Sequence, residues 1–202
     1  MVKVLKSTYK ILTPINGAEV MKHIESCART CYQSFDKIKE GSADRLVKHI
    51  VERHHESCLE HFSVSVRIIT DRGIQNELVR HRLSSFSVES TRYCQYADEI
   101  SVIRPIEIKE GSVAESCWID CLKRIEKTYK QMLKIGEKPE NARSVLPLCL
   151  KTEMVITANL REWMHIFNMR CSSAAHPDVR DLMCRIKSEF EKELPIIFGE
   201  KE

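Results

Sequence analysis

The chain has 202 residues, of which 43% are hydrophobic and 30% are charged, and its formal net charge is +3 at pH 7. This composition predicts one soluble globular domain spanning residues 1–202, with a core of ordinary size. So small a net charge does not by itself indicate a nucleic-acid-binding protein, and no apolar run reaches the length of a membrane span.

Nine cysteines are distributed along the chain, and no signal peptide precedes them. An odd count in a chain of this length favours reduced thiols in a cytoplasmic protein over a disulfide framework. The pairs Cys27/Cys31 and Cys117/Cys121 have the spacing of one helical face, which would also suit zinc. Small core residues are the favoured interpretation, because no paired histidines or cysteines stand nearby, and no metal site is expected.

The hydrophobic pattern predicts secondary structure along the whole chain. In chain order, it predicts a strand over 2–12, helices over 18–30 and 42–54, a strand over 62–70, a turn at 71–73, a helix over 75–82, an extended segment over 100–108, and helices over 111–135, 141–146, 151–169 and 178–194. Ser42 is the expected N-cap of the second helix. With strands early and helices late, the expected class is α+β, with a small sheet packed against several helices.

The most polar stretch of the chain is 80–93, RHRLSSFSVESTRY, which combines three arginines, one histidine and five Ser or Thr hydroxyls. Such a segment is costly to bury unless an anion compensates its charge. Guanidinium groups bind phosphate oxygens in bidentate fashion, and hydroxyls can complete the shell. The segment therefore predicts a small ligand with several phosphates, the alternative being a solvated, salt-bridged surface.

Three further polar clusters could contribute to a ligand site. They are 54–61 (HHESCLEH), 142–148 (ARSVLPL) and 159–170 (NLREWMHIFNMR). Each cluster also has a purely structural interpretation: a polar loop at 54–61, an arginine beside a proline turn at 142–148, and an amphipathic helix at 159–170. A metal site at 54–61 is a further alternative that the spacing of its histidines does not favour. Because the chain has only six glycines and no glycine-rich phosphate loop, side chains and helix ends would have to meet the phosphates.

Taken together in this order, the four clusters resemble the flavin-dependent thymidylate synthases, and the resemblance covers roughly residues 20–198. The family hallmark is Arg-His-Arg, seven residues and Ser. The matching elements here are Arg80-His81-Arg82 with Ser90 and Arg92-Tyr93, His55-Glu56-Ser57 with Glu60-His61, Ala142–Pro147, and Asn159 with Arg161 and Arg170; Ala28–Tyr32 is also similar.

The resemblance implies a fold and a reaction. The family converts dUMP to dTMP with FAD, NADPH and methylenetetrahydrofolate, in a homotetramer whose active sites are shared between subunits. It uses no cysteine nucleophile, so none of the nine cysteines need be catalytic. No membrane or nucleic-acid partner is implied.

Residue roles follow from the same resemblance. The implied FAD contacts are Ser57, Arg80, His81, Arg82, Asn159, Arg161 and His165. The implied dUMP contacts are Glu77, Arg80, Ser90, Thr91, Arg92, Arg143 and Arg170. The family's catalytic arginine corresponds to Arg170, which favours ionisation of uracil N3.

The sequence departs from the family pattern at Ser87-Val88, where many members have Asn-Glu and this chain has its glutamate one place later, at Glu89. It also departs at Glu77 and at Ala174-Ala175-His176. These changes leave alternatives open: a flavin-dependent uridylate C5-methylase, a hydroxymethylase, or a non-catalytic nucleotide- or RNA-binding module that uses the same arginines. The last alternative is weakened by the acidic residues interleaved with the basic ones and by the lack of an aromatic stacking platform.

Overall fold

The computed structural model describes residues 2–96 and 98–199. Its strands are β1 (Lys3–Leu5), β2 (Thr8–Ile11), β3 (Ser63–Asp71), β4 (Ser85–Val88), β5 (Ser101–Ile103) and β6 (Lys151–Asn159). Its α-helices are α1 (Gly17–Thr30), α2 (Ser42–Glu52), α3 (Arg72–Leu78), α4 (Val113–Lys134), α5 (Pro139–Ala142), α6 (Leu160–Arg170), α7 (Pro177–Glu193) and α8 (Pro195–Phe198). Short 3₁₀ segments cover Phe35–Lys37, Glu56–His61 and Arg143–Val145. Among the described residues, no helix is both long and apolar enough to cross a membrane.

The strands form two sheets, and the α+β class is confirmed. Four strands join in the order β2-β3-β6-β4, while β1 and β5 pair in parallel with Lys3 opposite Ser101. The single strand predicted over 2–12 is therefore wrong, because β1 and β2 belong to different sheets. The chain changes sheets at Lys6-Ser7, and the Ser7 hydroxyl lies 3.1 Å from that of Thr70.

The helix predicted over 151–169 is wrong in its first half, which forms β6. Side chains along β6 alternate between buried and half-buried, with Thr152, Met154, Ile156 and Ala158 buried. This is the period-two pattern of a strand. The helix then begins at once, because the Asn159 side chain caps α6 by accepting from the Glu162 N–H at 2.9 Å.

Two predicted helix starts also differ. The turn predicted at 71–73 is the start of α3, since Asp71 Oδ1 accepts from the Ile74 N–H at 2.8 Å. The helix consequently ends at Leu78 and leaves residues 80–82 outside it. At α2 the N-cap is Gly41, with a left-handed φ of +67°, and the buried Ser42 is the first helical residue.

The chain divides into two compact units. The first contains the N-terminal segment through Tyr9, Arg67–Arg80 and Phe86–Val155; the second contains Lys10–Val66, His81–Ser85 and the chain from Ile156 onwards. In the first unit, a buried group of Ile100, Val102, Leu122 and Leu150 forms a core. Each unit thus has buried apolar side chains of its own.

The core of the second unit contains four aromatic rings from α6, α7 and α8. Trp163, Phe167, Phe190 and Phe198 contact one another with ring centroids 5.2 to 5.8 Å apart. The Trp163 ring N–H donates to the Val64 carbonyl at 3.0 Å, which ties α6 to β3. Aromatic pairs at these distances add stabilisation beyond the area they bury.

We expect Phe190→Ala to lower the free energy of unfolding by about 3–5 kcal/mol, because it removes a fully buried ring and leaves a cavity. Chemical denaturation followed by tryptophan fluorescence measures this. Tyr32→Ala is the control, since its ring is 86% exposed, and should change stability by less than about 0.5 kcal/mol. Similar losses in both variants would contradict the aromatic core described here.

Candidate functional site

The Arg80-His81-Arg82 motif lies in the segment between α3 and β4. Arg80 and Arg82 are exposed, whereas His81 is 6% exposed. The two arginines are therefore available to a ligand in solution, and the histidine faces the protein interior of the second unit. Such different environments for adjacent residues indicate different roles.

His81 accepts a hydrogen bond from Arg170, the last residue of α6. Arg170 Nε donates to His81 Nε2 at 3.0 Å. This bond requires an unprotonated Nε2, so the single ring proton sits on Nδ1. Burial, followed by the positive charge of Arg170 and the nearby His165, lowers the pKa of His81 to about 4. The imidazole is therefore neutral at physiological pH.

Two other side chains of α6 surround this imidazole. The His165 ring packs edge-on against it, with centroids 5.7 Å apart, and Glu162 Oε1 lies 3.7 Å from His81 Nδ1. The ligand atoms of His81, Glu162 and His165 lie within 4.8 Å of one another, a spacing that a metal ion could use. The donation from Arg170 uses the Nε2 lone pair and brings a positive charge, both of which disfavour a cation there.

The remaining predicted flavin contacts of the second unit lie on or beside α6. Asn159 is its N-cap, and Arg161 in its first turn is exposed. Arg161 Nη1 donates to Glu60 Oε1 at 2.6 Å, and its Nε lies 3.5 Å from Glu56 Oε2. Ser57 is exposed in the same 3₁₀ segment, Glu56–His61, which packs against α6. Asn159 thus serves the helix, while Arg161 and Ser57 present polar groups at the surface.

The predicted dUMP contacts other than Arg170 lie in the first unit. Arg143 Nη1 donates to the Thr91 hydroxyl at 3.2 Å, which brings these two predicted residues together. Ser90 Oγ accepts from the Arg92 N–H at 3.3 Å, and the Arg92 guanidinium lies 3.7 Å from Glu140. Ser90 to Arg92 and Arg143 therefore form one hydroxyl- and arginine-rich patch, in which the two arginines are exposed and the hydroxyls are half-buried.

Glu77 and Arg80 lie at the end of α3 and just beyond it. Glu77 is half-buried near the end of α3, and its carbonyl accepts from the Arg80 N–H at 3.3 Å. The local backbone bond fixes the direction in which the chain enters the arginine motif.

Sequence reasoning missed Glu89, which holds the segment before Ser90 in place. Its carboxylate accepts from Lys151 Nζ and from the Tyr96 hydroxyl, both at 2.7 Å, and its carbonyl accepts from Arg72 Nη2 at 2.8 Å. Burial opposes ionisation, but these hydrogen bonds outweigh it and lower the pKa of Glu89. The shifted position of this glutamate relative to the family pattern was the available signal.

Glu162 was also missed, although it is buried beside His81. Its sequence context, three residues after the capping Asn159, is that of an ordinary helix start, where an acidic residue is common. Only its proximity to His81 of the arginine motif distinguishes Glu162 from an ordinary first-turn acidic residue.

Comparison with known proteins identifies the family. The family model described as "Thymidylate synthase complementing protein" matches residues 16–196. The chain belongs to this family. The flavin-dependent thymidylate synthase of Corynebacterium efficiens is 31% identical over 206 residues, covering 93% of this chain and 81% of the relative. That of Pyrococcus abyssi is 33% identical over 165 residues, covering 79% of this chain and 67% of the relative.

A solved structure of the same fold is a UMP/dUMP methylase, PolB from Streptomyces cacaoi, bound with 5-Br dUMP. It aligns with a TM-score of 0.77 and 21% identity, over 97% of this chain and 95% of PolB. This likeness supports the fold. The family match and the two relatives confirm the assignment to the flavin-dependent thymidylate synthases, a class of methyltransferases.

The depressed pKa of His81 predicts a pH dependence of stability. Between about pH 4 and the ordinary value of 6.5, the unfolded state binds a proton at this residue that the folded state does not. The free energy of unfolding should therefore rise with pH across this window. In His81→Gln the rise should be smaller, as measured by urea denaturation at several pH values.

His54→Gln, at an exposed position, controls for the removal of one histidine. An equal change of slope in both variants, or no change in His81→Gln, would contradict a buried neutral imidazole at position 81.

Proposed function

We propose that the protein catalyses the reductive methylation of dUMP to dTMP, with methylenetetrahydrofolate as the carbon donor and NADPH-reduced FAD as the reductant. The observation that carries this proposal is the hydrogen bond from Arg170 Nε to the neutral His81 Nε2, within the motif that defines the family resemblance. It fixes the orientation of a guanidinium group at the end of α6.

The residues present fit a flavin dinucleotide. In the second unit, exposed Arg82 and Arg161, with the Ser57 hydroxyl, offer the cationic and hydrogen-bonding groups that a diphosphate needs. Arg80, at the end of a segment of the first unit, is also exposed. When bound, FAD supplies the reducing equivalents of the reaction. Because Arg161 is paired with Glu60 and Glu56, an incoming phosphate would compete with these carboxylates. His165, exposed beside His81, would contribute an aromatic and polar surface.

For the nucleotide, we assign the phosphate to the patch formed by Ser90, Thr91, Arg92 and Arg143. The Thr91 hydroxyl already orients Arg143, which reduces the side-chain freedom that binding would remove. The Arg92 guanidinium is 54% exposed at its side chain, so it can reach a ligand. Glu77 and Arg80 complete the proposed dUMP contacts.

We assign Arg170 the catalytic role. A guanidinium placed against a uracil carbonyl stabilises negative charge as it develops on the ring, which favours ionisation at N3 and activates C5. His81 holds this guanidinium without adding a competing positive charge, because the imidazole is neutral.

No cysteine is assigned to the chemistry. Burial raises the pKa of Cys149 to about 11, and burial together with a hydrogen bond involving Cys184 raises that of Cys171 to about 12. Burial also raises the pKa of Cys58. Since the thiolate is the nucleophile, these three thiols are poorly reactive at neutral pH.

We further propose that the whole chain, 1–202, acts as one catalytic domain within a cytoplasmic homotetramer that shares its active sites. The family match over residues 16–196 supports the single domain. Nine free thiols suit a reducing compartment. Large exposed side chains such as Leu83 and Val113 are candidates for burial between subunits.

A second candidate is methylation of UMP, favoured by one observation: PolB, which shares the fold, is a UMP/dUMP methylase. The deciding experiment is an anaerobic assay of the purified protein with FAD, NADPH, methylenetetrahydrofolate and either dUMP or UMP, with the nucleotide product identified by mass. Methylated deoxynucleotide supports the first proposal, and product only from UMP supports the second. A hydroxymethyl product would change the reaction, and no product with no bound flavin would favour a binding module.

We expect Arg170→Ala to lower kcat by at least about 10²–10³-fold while FAD stays bound, because it removes the group that stabilises charge on the uracil. Flavin absorbance after gel filtration measures retention, and the same assay measures turnover. Arg124→Ala, which removes an exposed arginine from α4, is the matched control and should retain full activity. Substantial turnover in Arg170→Ala would contradict the assigned role.

A further inference from the structure

We propose that Glu162 is a positioning residue that acts on Arg170 through His81. Its carboxylate keeps the imidazole proton on Nδ1, so that Nε2 remains the acceptor for the Arg170 Nε–H. The inference rests on the proposed function in one respect, the catalytic role of Arg170.

Glu162 is an unusual residue for its place in the fold. It is only 6% exposed, on the first turn of α6, and burying a carboxylate is costly unless its charge is compensated. Within residues 2–96 and 98–199, the one polar side chain at ion-pair distance from its carboxylate is His81, with 3.7 Å between Oε1 and Nδ1. Its backbone N–H, not its side chain, serves the helix cap.

The geometry of His81 gives this carboxylate a specific task. Arg170 donates on the Nε2 side of the ring, Glu162 lies on the Nδ1 side, and His165 packs against the ring edge-on. A neutral histidine has two tautomers, and only the one with hydrogen on Nδ1 can accept from Arg170. A negative charge beside Nδ1 favours that tautomer.

The 3.7 Å separation is longer than a direct hydrogen bond, so the carboxylate acts through its charge. In a buried environment such an interaction is weakly screened. The buried ring does not become imidazolium, because burial and the positive groups around it lower its pKa to about 4. Glu162 therefore sets the tautomer of the neutral His81 imidazole, and His81 in turn orients the Arg170 guanidinium.

The competing explanation is that Glu162 only stabilises α6, as acidic residues in a first turn commonly do. Its removal would then lower stability without changing the tautomer of His81. The two explanations differ in a spectroscopic quantity, the protonation of each ring nitrogen, which does not depend on turnover.

The test uses the FAD-loaded protein with ¹⁵N-labelled histidine side chains. The two ring-nitrogen shifts of His81 are assigned by comparison with His81→Gln. In the wild type we expect a protonated Nδ1 and an unprotonated Nε2. In Glu162→Ala we expect a mixture of tautomers, and in the isosteric Glu162→Gln, which keeps the size of the side chain but loses its charge, a similar mixture.

Kinetics provide the second measurement. We expect Glu162→Ala to lower kcat by about 10- to 100-fold, the usual cost of losing a group that orients an active-site residue, with little change in the KM for dUMP. The loss in Glu162→Gln, which removes the charge but keeps the shape of the side chain, should be similar. Glu25→Gln is the matched control: this carboxylate is also buried in the second unit but pairs with Arg29, 2.8 Å away. It should change neither the His81 shifts nor kcat.

The inference is overturned if the wild-type and both Glu162 variants show the same His81 tautomer, or if Glu25→Gln lowers kcat as much as Glu162→Ala. Failure of the proposed function is distinguishable. If the wild type does not methylate dUMP but the tautomer still shifts in Glu162→Ala, the orientation of His81 by Glu162 stands and the assigned reaction does not.

Discussion

One hydrogen bond organises the second unit's site: the donation from Arg170 to His81, 3.0 Å long. It joins the end of α6 to a motif 89 positions earlier in the chain. The bond exists only if the imidazole is neutral, because a protonated ring would place two positive charges in contact in a buried place. Burial of His81 enforces this condition, so packing determines the orientation of the guanidinium.

The fold supplies that burial through α6. β6 ends at Asn159, whose side chain caps the helix, and Trp163 ties the helix to β3 through the Val64 carbonyl. The aromatic rings of α7 and α8 then hold the apolar side of α6. Rotation or translation of this helix would break buried contacts, which cores resist because they are close-packed. The rigid aromatic core thus fixes the position of α6, and with it the positions of Glu162 and Arg170 on the same helix.

Sequence patterns predicted the class and the helix that became α7, since these depend on local periodicity and composition. The roles of the motif residues stay predictions. The patterns failed where contacts between distant parts of the chain determine the structure. One alternating run covers β1 and β2, for example, but the two strands belong to different sheets. At β6 the alternation of Thr152, Met154, Ile156 and Ala158 was present in the sequence and was misread as helical. Glu162 could not have been found, because its significance arises only from proximity to His81.

In each unit, charge pairing distinguishes the exposed arginines from a general polyanion-binding surface. Arg161 is paired with Glu60 and Arg92 lies near Glu140, so a phosphate gains access only by competing with these carboxylates. A flexible polyanion would contact the arginines one at a time. Each new arginine–phosphate pair would replace an existing arginine–carboxylate pair of similar, small stability, so the net gain in binding free energy would be small. A compact ligand that engages a pre-oriented set, such as Thr91 with Arg143, avoids much of the ordering cost. Under the proposed function, these pairings suit a small nucleotide better than an extended nucleic acid.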